Sequence, residues 1–345
     1  MAQRLEALTI WLRSILQEGV LRGGCLSKTA EAPCSGDFQI SPASADASFR
    51  RYFRVTNFGL AGQSLIVMDA PPDKEDIHPF VKVATILAEA GLNVPQIFAK
   101  DLEQGFLLLS DLGNQAYLDA LNSHTVDQLY ADALDALLVM QRDASKQGQQ
   151  LPVYDAALLL SEMALFRDWY CQQYRQQSFS AQQQAELDET FQLLAEAALA
   201  QPQVFVHRDY HSRNLMVTPE HNPGILDFQD AVIGPVTYDL VSLLRDCYID
   251  WPRPRIEQWA LAYLHRAADL GLIPHESDDT YLRWFDWMGV QRHLKAAGIF
   301  ARLHLRDNKP GYLGDIPRTL AYVREVSARY AELSGLHRLL GEIGD

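Results

Sequence analysis

One stretch constrains the fold of this chain more than any other: residues 204–217, VFVHRDYHSRNLMV. An apolar triplet, Val204-Phe205-Val206, breaks into a dense polar cluster and then returns to Leu215-Met216-Val217. The two triplets read as short strands entering a core, and the loop between them must lie against that core. Charge held at the edge of a core is costly unless it is paired or does chemistry. A lone His-x-Asp at a strand end is more often a capped turn than a site, so the spacing of the whole cluster has to decide.

The composition narrows what the cluster serves. At 345 residues the chain is long enough for two units, each with its own core. Thirty basic against 44 acidic residues leave a net charge of −14, which argues against nucleic acid or an anionic membrane as partner. A phosphorylated ligand is not excluded, since it needs only a local cationic pocket. Cys25, Cys34, Cys171 and Cys247 form no C-x-x-C and no metal spacing, which points to a reducing compartment; a Cys25–Cys34 disulfide stays open as the alternative. Leu5, Leu8, Trp11, Leu12, Ile15 and Leu16 recur at helical spacing with charges between them. This is an amphipathic helix rather than a signal peptide, and no window has the length of a membrane span. The expected location is cytoplasmic, with no obligate protein partner evident.

Along the chain, 23–47 reads as a Gly/Ser/Pro-containing stretch. GGCLSKT within it lacks the glycine and the preceding strand that a phosphate loop needs. FRRYFRV (49–55) and SLIVMDA (64–70) read as an antiparallel hairpin. HPFVKVATILAEAG (78–91) reads as a helix stopped at Gly91, followed by two strands in VPQIFAKD and GFLLLSD. The order strand, strand, helix, strand, strand makes a small α+β lobe over 1–112. Residues 113–345 read as mostly helical apart from the cluster and the turn TPEHNPG (218–224).

The spacing now carries the argument. His207-Arg208-Asp209 is followed by Asn214, and thirteen residues later comes Asp227-Phe228-Gln229-Asp230. This matches H-R-D-x-x-x-x-N followed by a metal-binding Asp-Phe, the arrangement phosphoryl transfer uses. An acceptor hydroxyl needs a carboxylate within hydrogen-bond reach, the part expected of Asp209. Mg²⁺ on the phosphates of ATP needs hard oxygen ligands, expected from Asn214 and Asp227. His207 would orient the loop, and Asp230 would bind or orient substrate or metal.

HRDYHSRNLMV with GILDFQDAVIGPVTYDLVSLL resembles the aminoglycoside phosphotransferase and choline kinase superfamily. The DFQDA form and the absence of an A-P-E after Asp227 set the chain apart from protein kinases. SADASFRRYFRV, LIVMDAPPDKED, LLLSDLG and QRHLKAAGIFARLHLRDNKPGYLGDIPR further resemble the bacterial anomeric kinases of cell-wall amino sugars, over nearly the whole chain. The resemblance implies an α+β, protein-kinase-like two-lobe fold, a small β-containing N-lobe and a larger mostly helical C-lobe, with the nucleotide between them. It also implies ATP, Mg²⁺, and phosphorylation of the C1 hydroxyl of N-acetylmuramate and N-acetylglucosamine in peptidoglycan recycling. The alternatives are a kinase of another acceptor (an aminoglycoside, choline or homoserine) and a nucleotide-binding scaffold without turnover.

The chain departs from the general kinase pattern at Met68, where a strand lysine would hold the α- and β-phosphates. Lys82, on the following helix, is the expected replacement, with Arg51 and Arg54 as further candidates. Ser44, Ala45, Asp46, Ala47 and Ser48 would form the loop over the phosphates, or else an ordinary hairpin turn. Ser110 to Leu112 would receive the adenine through backbone groups. For the acceptor, a lactyl carboxylate calls for a cation, and the expected contacts are Arg213 and Arg292. Arg292, His293 and Lys295, with Arg302, His304 and Arg306 beyond, form a local basic cluster that is either a binding surface or a solvated helix face. Trp284, Phe285, Trp287 and Tyr312 would serve as a stacking platform or as core.

Overall fold

The computed structural model describes residues 2–17, 38–44, 49–58 and 63–344. Ala45, Asp46, Ala47 and Ser48 of the expected phosphate loop, and Cys25, Lys28 and Cys34, lie outside the described residues. The chain divides into two compact units, Met1–Gln115 with Met216–Gln229, and Ala116–Leu215 with Asp230–Asp345.

In the first unit, α1 (Ala2–Gln17) turns Leu8, Leu12, Ile15 and Leu16 inward. Leu5 of the expected apolar stripe stays exposed. The strands are β1 (Gln39–Ser44), β2 (Arg51–Thr56), β3 (Leu65–Asp69), β4 (Ile97–Asp101) and β5 (Phe106–Ser110), with α2 (His78–Glu89) between β3 and β4. They form one antiparallel sheet in the order β1-β2-β3-β5-β4. β1 corrects the expectation of an irregular stretch reaching residue 47. Its Ser and Pro residues hide the strand signal, but as an edge strand it tolerates Pro42, where a register shift falls. The inward residues of α1 pack on Val55, Phe58, Leu65, Val67, Phe106 and Leu108. Each such side chain contributes about 1.5–3 kcal/mol when fully removed from water. α2 stops where Gly91 takes φ +83° and Leu92 N–H returns to the Leu87 carbonyl at 3.0 Å, a left-handed exit that favours glycine.

In the second unit, β6 (Gln203–Val206) pairs antiparallel with β9 (Val232–Pro235), Val206 opposite Val232. β9 had no counterpart in the sequence reading, because four residues carrying Gly and Pro offer too little pattern. β7 (Leu215–Met216) begins as the chain returns to the first unit, where it pairs with β8 (Gly224–Ile225) across the 218–223 turn. The helices are α3 (Tyr117–Ala120), α4 (Val126–Val139), α5 (Ser145–Gln147), α6 (Ala156–Leu165), α7 (Ala181–Leu199), α8 (Thr237–Leu244), α9 (Arg253–Asp269), α10 (Asp278–Leu305), α11 (Ile316–Ser327) and α12 (Ser334–Ile343). π-Helical segments, Met140–Ala144 and Phe166–Tyr174, continue α4 and α6.

The 28-residue α10 is the spine of this unit and packs against α6, α7, α8, α9 and α11. It approaches the end of α6 so closely at Gly298 that a Cβ there would lie 2.3 Å from the Leu165 carbonyl carbon. Sixteen of its residues are buried, including Phe285, Trp287, Arg292, His293 and Lys295. Phe285 and Trp287 are therefore core. Arg292, His293 and Lys295 are not a solvated helix face.

Candidate active site

In the second unit the loop from His207 to Asn214 links β6 to β7, and buried carboxylates hold its backbone. Asp239, in the first turn of α8, accepts from the N–H of His207 at 2.6 Å and of Arg208 at 3.0 Å. Asp246, just beyond α8, accepts from the Ser212 N–H at 2.9 Å and the Ser212 hydroxyl at 2.5 Å. These bonds hold Arg208 at φ +77°, a left-handed conformation that costs a non-glycine residue about 1–3 kcal/mol. Asp209 N–H donates to His207 Nδ1 at 3.2 Å, and Asn214 Nδ2 donates to the Asp209 carbonyl at 3.0 Å. His207, Asp209 and Asn214 are thus tied together through the backbone on either side of Asp209.

Asp209 is half-buried. Burial opposes its ionisation, but the charges of Lys295, His211, Arg292 and His207 outweigh it and hold the carboxyl below its ordinary value. Asp239 behaves oppositely. Burial dominates there, against the two N–H bonds, and pushes the carboxyl up to about 7. Two neighbouring carboxyls with opposed shifts are the arrangement by which a fold separates a proton acceptor from a structural acid.

A buried ion network stands beside the loop. Glu162 on α6 pairs with Arg208 at 2.5 Å and Lys295 at 2.9 Å, and Tyr154 donates its hydroxyl to Glu162. Lys295 also donates to the Tyr238 hydroxyl at 2.9 Å. Burial opposes ionisation of Glu162, but Lys295 and Arg208 keep its carboxyl below the ordinary value. Arg292, one turn back on α10, differs. Its guanidinium meets the Cys247 sulfur at 3.8 Å, its Nε has no hydrogen-bond partner, and no carboxylate of the described residues reaches it as an ion pair. Yet it is only 6% exposed. Arg213 is exposed and lies 3.7 Å over the Tyr248 ring and 5.5 Å over Tyr312, which stacks on Phe300. Asp230 is exposed, and its carbonyl accepts from Arg208 Nη1 at 3.5 Å.

In the first unit Asp227 sits at φ +62°, two residues beyond β8. Its carboxylate accepts from Gln229 Nε2 at 2.9 Å, and Arg50 Nη2 lies 3.9 Å away. Phe228 packs against Phe80 of α2, ring centroids 4.8 Å apart and the planes tilted by 39°, which fixes the segment. Met68 is fully buried, and Lys82 is exposed on α2. Arg51 and Arg4 both pair with buried Asp69; Arg54 holds Asp111 at 2.6 Å, and Ser64 joins it there. Ser110 Oγ accepts from Gln96 N–H at 2.8 Å, and Leu112 covers Gly224, where a Cβ would come within 2.9 Å of it.

The side-chain amide of Asn214, in the second unit, and the carboxylate of Asp227, in the first, each carry a hard oxygen of the kind that suits Mg²⁺. Among the described residues no group of three or more His, Cys, Asp or Glu side chains is placed to hold a metal ion. No described helix is long and apolar enough to cross a membrane. Sequence reasoning assigned no part to Asp239, Asp246, Glu162 or Arg50, and marked Lys295 only as one of a basic cluster. Only charge inside an apolar segment, as in VTYDLV, signals such residues beforehand.

The chain is 48% identical to an N-acetylmuramate/N-acetylglucosamine kinase of Pseudomonas putida over 340 residues, 99% of this chain and 96% of that protein. It is 45% identical to a kinase of the same name from Neisseria meningitidis, over 90% of this chain and 92% of that one. A choline kinase from Cryptosporidium parvum superposes with a TM-score of 0.63 at 10% identity, covering 96% of this chain and 99% of that one. An ADP-bound aminoglycoside phosphotransferase gives 0.52 at 13% identity, over 83% and 92%. The likeness to these two structures is one of fold. The family model described as "Phosphotransferase enzyme family" matches residues 39–283, and the chain belongs to that family.

Proposed function

We propose that this phosphotransferase moves the γ-phosphoryl group of ATP to the C1 hydroxyl of N-acetylmuramate and N-acetylglucosamine, as a cytoplasmic enzyme of peptidoglycan recycling. The observation that carries the acceptor is Arg292: a buried guanidinium without a carboxylate partner among the described residues, close enough to Asp209 to lower its pKa. Such a cation suits an acceptor with a carboxylate and disfavours choline or an aminoglycoside.

Asp209, ionised, takes the proton of the C1 hydroxyl as that oxygen attacks the γ-phosphorus and the bond to the β-phosphate oxygen breaks. His207, Asp239 and Asp246 hold the loop so that this carboxylate does not turn away. Asn214 and Asp227 would hold Mg²⁺, which supplies charge neutralisation on the phosphates when bound. Lys82, with Arg51 as a weaker candidate, would contact the phosphates, beneath the 44–48 loop. The backbone of Ser110 to Leu112 would receive the adenine. Arg292 would meet the lactyl carboxylate, and Arg213 on its aromatic bed and Asp230 would contact the sugar. On this reading residues 1–112 bind nucleotide and 113–345 carry catalysis and acceptor binding.

The test is ATP turnover against N-acetylmuramate, N-acetylglucosamine, glucose, kanamycin and choline, with products read by ³¹P NMR. An anomeric phosphate signal from the first two is expected, lost in Asp209→Asn. Arg292→Gln should raise the KM for N-acetylmuramate about 10-fold or more, and that for N-acetylglucosamine less, since only the former carries a carboxylate. Turnover confined to kanamycin or choline would overturn the acceptor assignment.

A further inference from the structure

We propose that His211 recognises the acetamido group that both acceptors carry, donating from Nε2 to its carbonyl oxygen. The proposal rests on the reading of the chain as a kinase of N-acetylmuramate and N-acetylglucosamine.

The catalytic loop fixes His211 from both sides. Its N–H donates to the Asp209 carbonyl at 3.0 Å, and its own carbonyl accepts from the Asn214 N–H at 2.9 Å. The next residue, Ser212, is pinned to Asp246 through its N–H and its hydroxyl. The imidazole meets the Tyr248 ring edge to face, centroids 5.4 Å apart and planes at 72°, and Arg213 covers that tyrosine at 3.7 Å. Such a contact holds the orientation of the ring. Among the described residues Nδ1 of His211 is buried without a hydrogen-bond partner, whereas Nε2 is not enclosed in that way. A buried N–H without an acceptor is rarer than a buried acceptor without a donor, which assigns the proton to Nε2. Nε2 is therefore the donor that this side chain has to offer.

The order of substituents on the sugar gives the donor its partner. In N-acetylmuramate the reacting hydroxyl is on C1, the acetamido group on C2 and the lactyl carboxylate on C3. His211 is close enough to both Asp209 and Arg292 to feel either charge. With Asp209 at the C1 hydroxyl and Arg292 at the C3 carboxylate, a neighbour of both meets the group on C2. N-acetylglucosamine lacks the lactyl arm but keeps the acetamido group, so one contact serves both sugars. Glucose carries a short hydroxyl at C2 and leaves the donor without the carbonyl it is set for, the situation in which a polar site discriminates most strongly.

The test is steady-state kinetics with both N-acetyl sugars and with glucose. His211→Phe keeps a ring but no nitrogen. It should raise KM for both N-acetyl sugars about 5- to 100-fold, the loss expected when a carbonyl goes unpaired in the site, with KM for ATP unchanged. Activity on glucose should stay at its native level. His211→Gln, whose amide nitrogen reaches the place of Nε2, should recover part of the loss. His211→Asn, whose amide ends at the place of Nδ1, should not, and this pair carries the test if His211→Phe does not fold. Unchanged KM for the N-acetyl sugars in His211→Phe or His211→Asn would overturn the proposal. A rise for N-acetylmuramate alone would overturn it in favour of a contact to the lactyl group. A fall in kcat at unchanged KM, equal for every sugar that reacts, would overturn it in favour of a part in holding Asp209. A native enzyme that phosphorylates neither N-acetyl sugar would overturn the acceptor reading itself, and the assignment of His211 with it.

Discussion

Replacing Asp239 by Ala should disable the catalytic loop without touching any group that meets substrate. Asp239 is fully buried and accepts two backbone N–H bonds, from His207 and Arg208. Its removal leaves one buried and one part-buried donor unsatisfied, at about 1–3 kcal/mol each with the second toward the lower figure. An opposing gain comes from deleting a carboxyl that burial already disfavours, as its pKa of about 7 reports. The net destabilisation should therefore fall near the lower end, about 2–3 kcal/mol. For a unit of this size each kcal/mol lowers Tm by about 2–4 °C, so the expected loss is about 4–12 °C by calorimetry. The kinetic effect should be larger. Arg208 loses what holds it at φ +77°, and Asp209 follows it in the chain. A displacement of about 1 Å at the base can cost about 100-fold, so kcat at saturating ATP and acceptor should drop by about that factor. Asp239→Asn, which keeps one acceptor but turns an NH₂ toward the other N–H, should fall between. Native kcat and a Tm within about 1 °C in Asp239→Ala would refute the reasoning that this carboxyl holds the loop.

Three further perturbations follow from other contacts. Glu162→Gln leaves Arg208 and Lys295 buried without their shared anion, a loss of about 3–5 kcal/mol, and should lower Tm by about 6–20 °C; a shift under about 2 °C would show that the pairs contribute little. Gly298→Ala forces a methyl group to 2.3 Å from the Leu165 carbonyl carbon and should cost at least about 1–3 kcal/mol, whereas Gly311→Ala, whose added Cβ meets nothing within 4 Å, should leave Tm unchanged. With pH, the two carboxyls act oppositely. Asp239, raised to about 7, holds its proton in the native state where the unfolded chain has lost it. Its contribution is present below the ordinary carboxylate range and is lost as pH rises to about 7, by at most about 4 kcal/mol, so native Tm should fall more than that of Asp239→Asn between pH 5 and 8. Asp209, lowered, adds stability that is lost only as pH falls below the ordinary aspartate range, and the acid limb of kcat/KM should lie there too.

Residues whose meaning depends on near neighbours were readable from the chain alone. The stripe of α1, the β2–β3 hairpin, the glycine stop of α2 and the spacing of Asp209, Asn214 and Asp227 are local patterns, because helix period, turn chemistry and a catalytic loop are short-range constraints. β1 and β9 escaped because Pro and Gly residues interrupt them. They are strands only because β2 and β6 supply the ladder partners. The identity of Lys295 and Arg292 as buried charges could not be read from α10. A helix so broadly buried has no polar face to reveal which cations are solvated, and only α6 and α8 decide that Lys295 meets Glu162 and Tyr238 while Arg292 pairs with no carboxylate among the described residues. The same holds for Arg50 and its two neighbours at 51 and 54. Three arginines in one short segment look equivalent until packing sends them to Asp227, Asp69 and Asp111. What the amino-acid order determined by itself was the chemistry available and the elements that carry it. What only tertiary structure decided was which charges are already neutralised and which remain for a ligand, because that depends on partners brought together from distant parts of the chain.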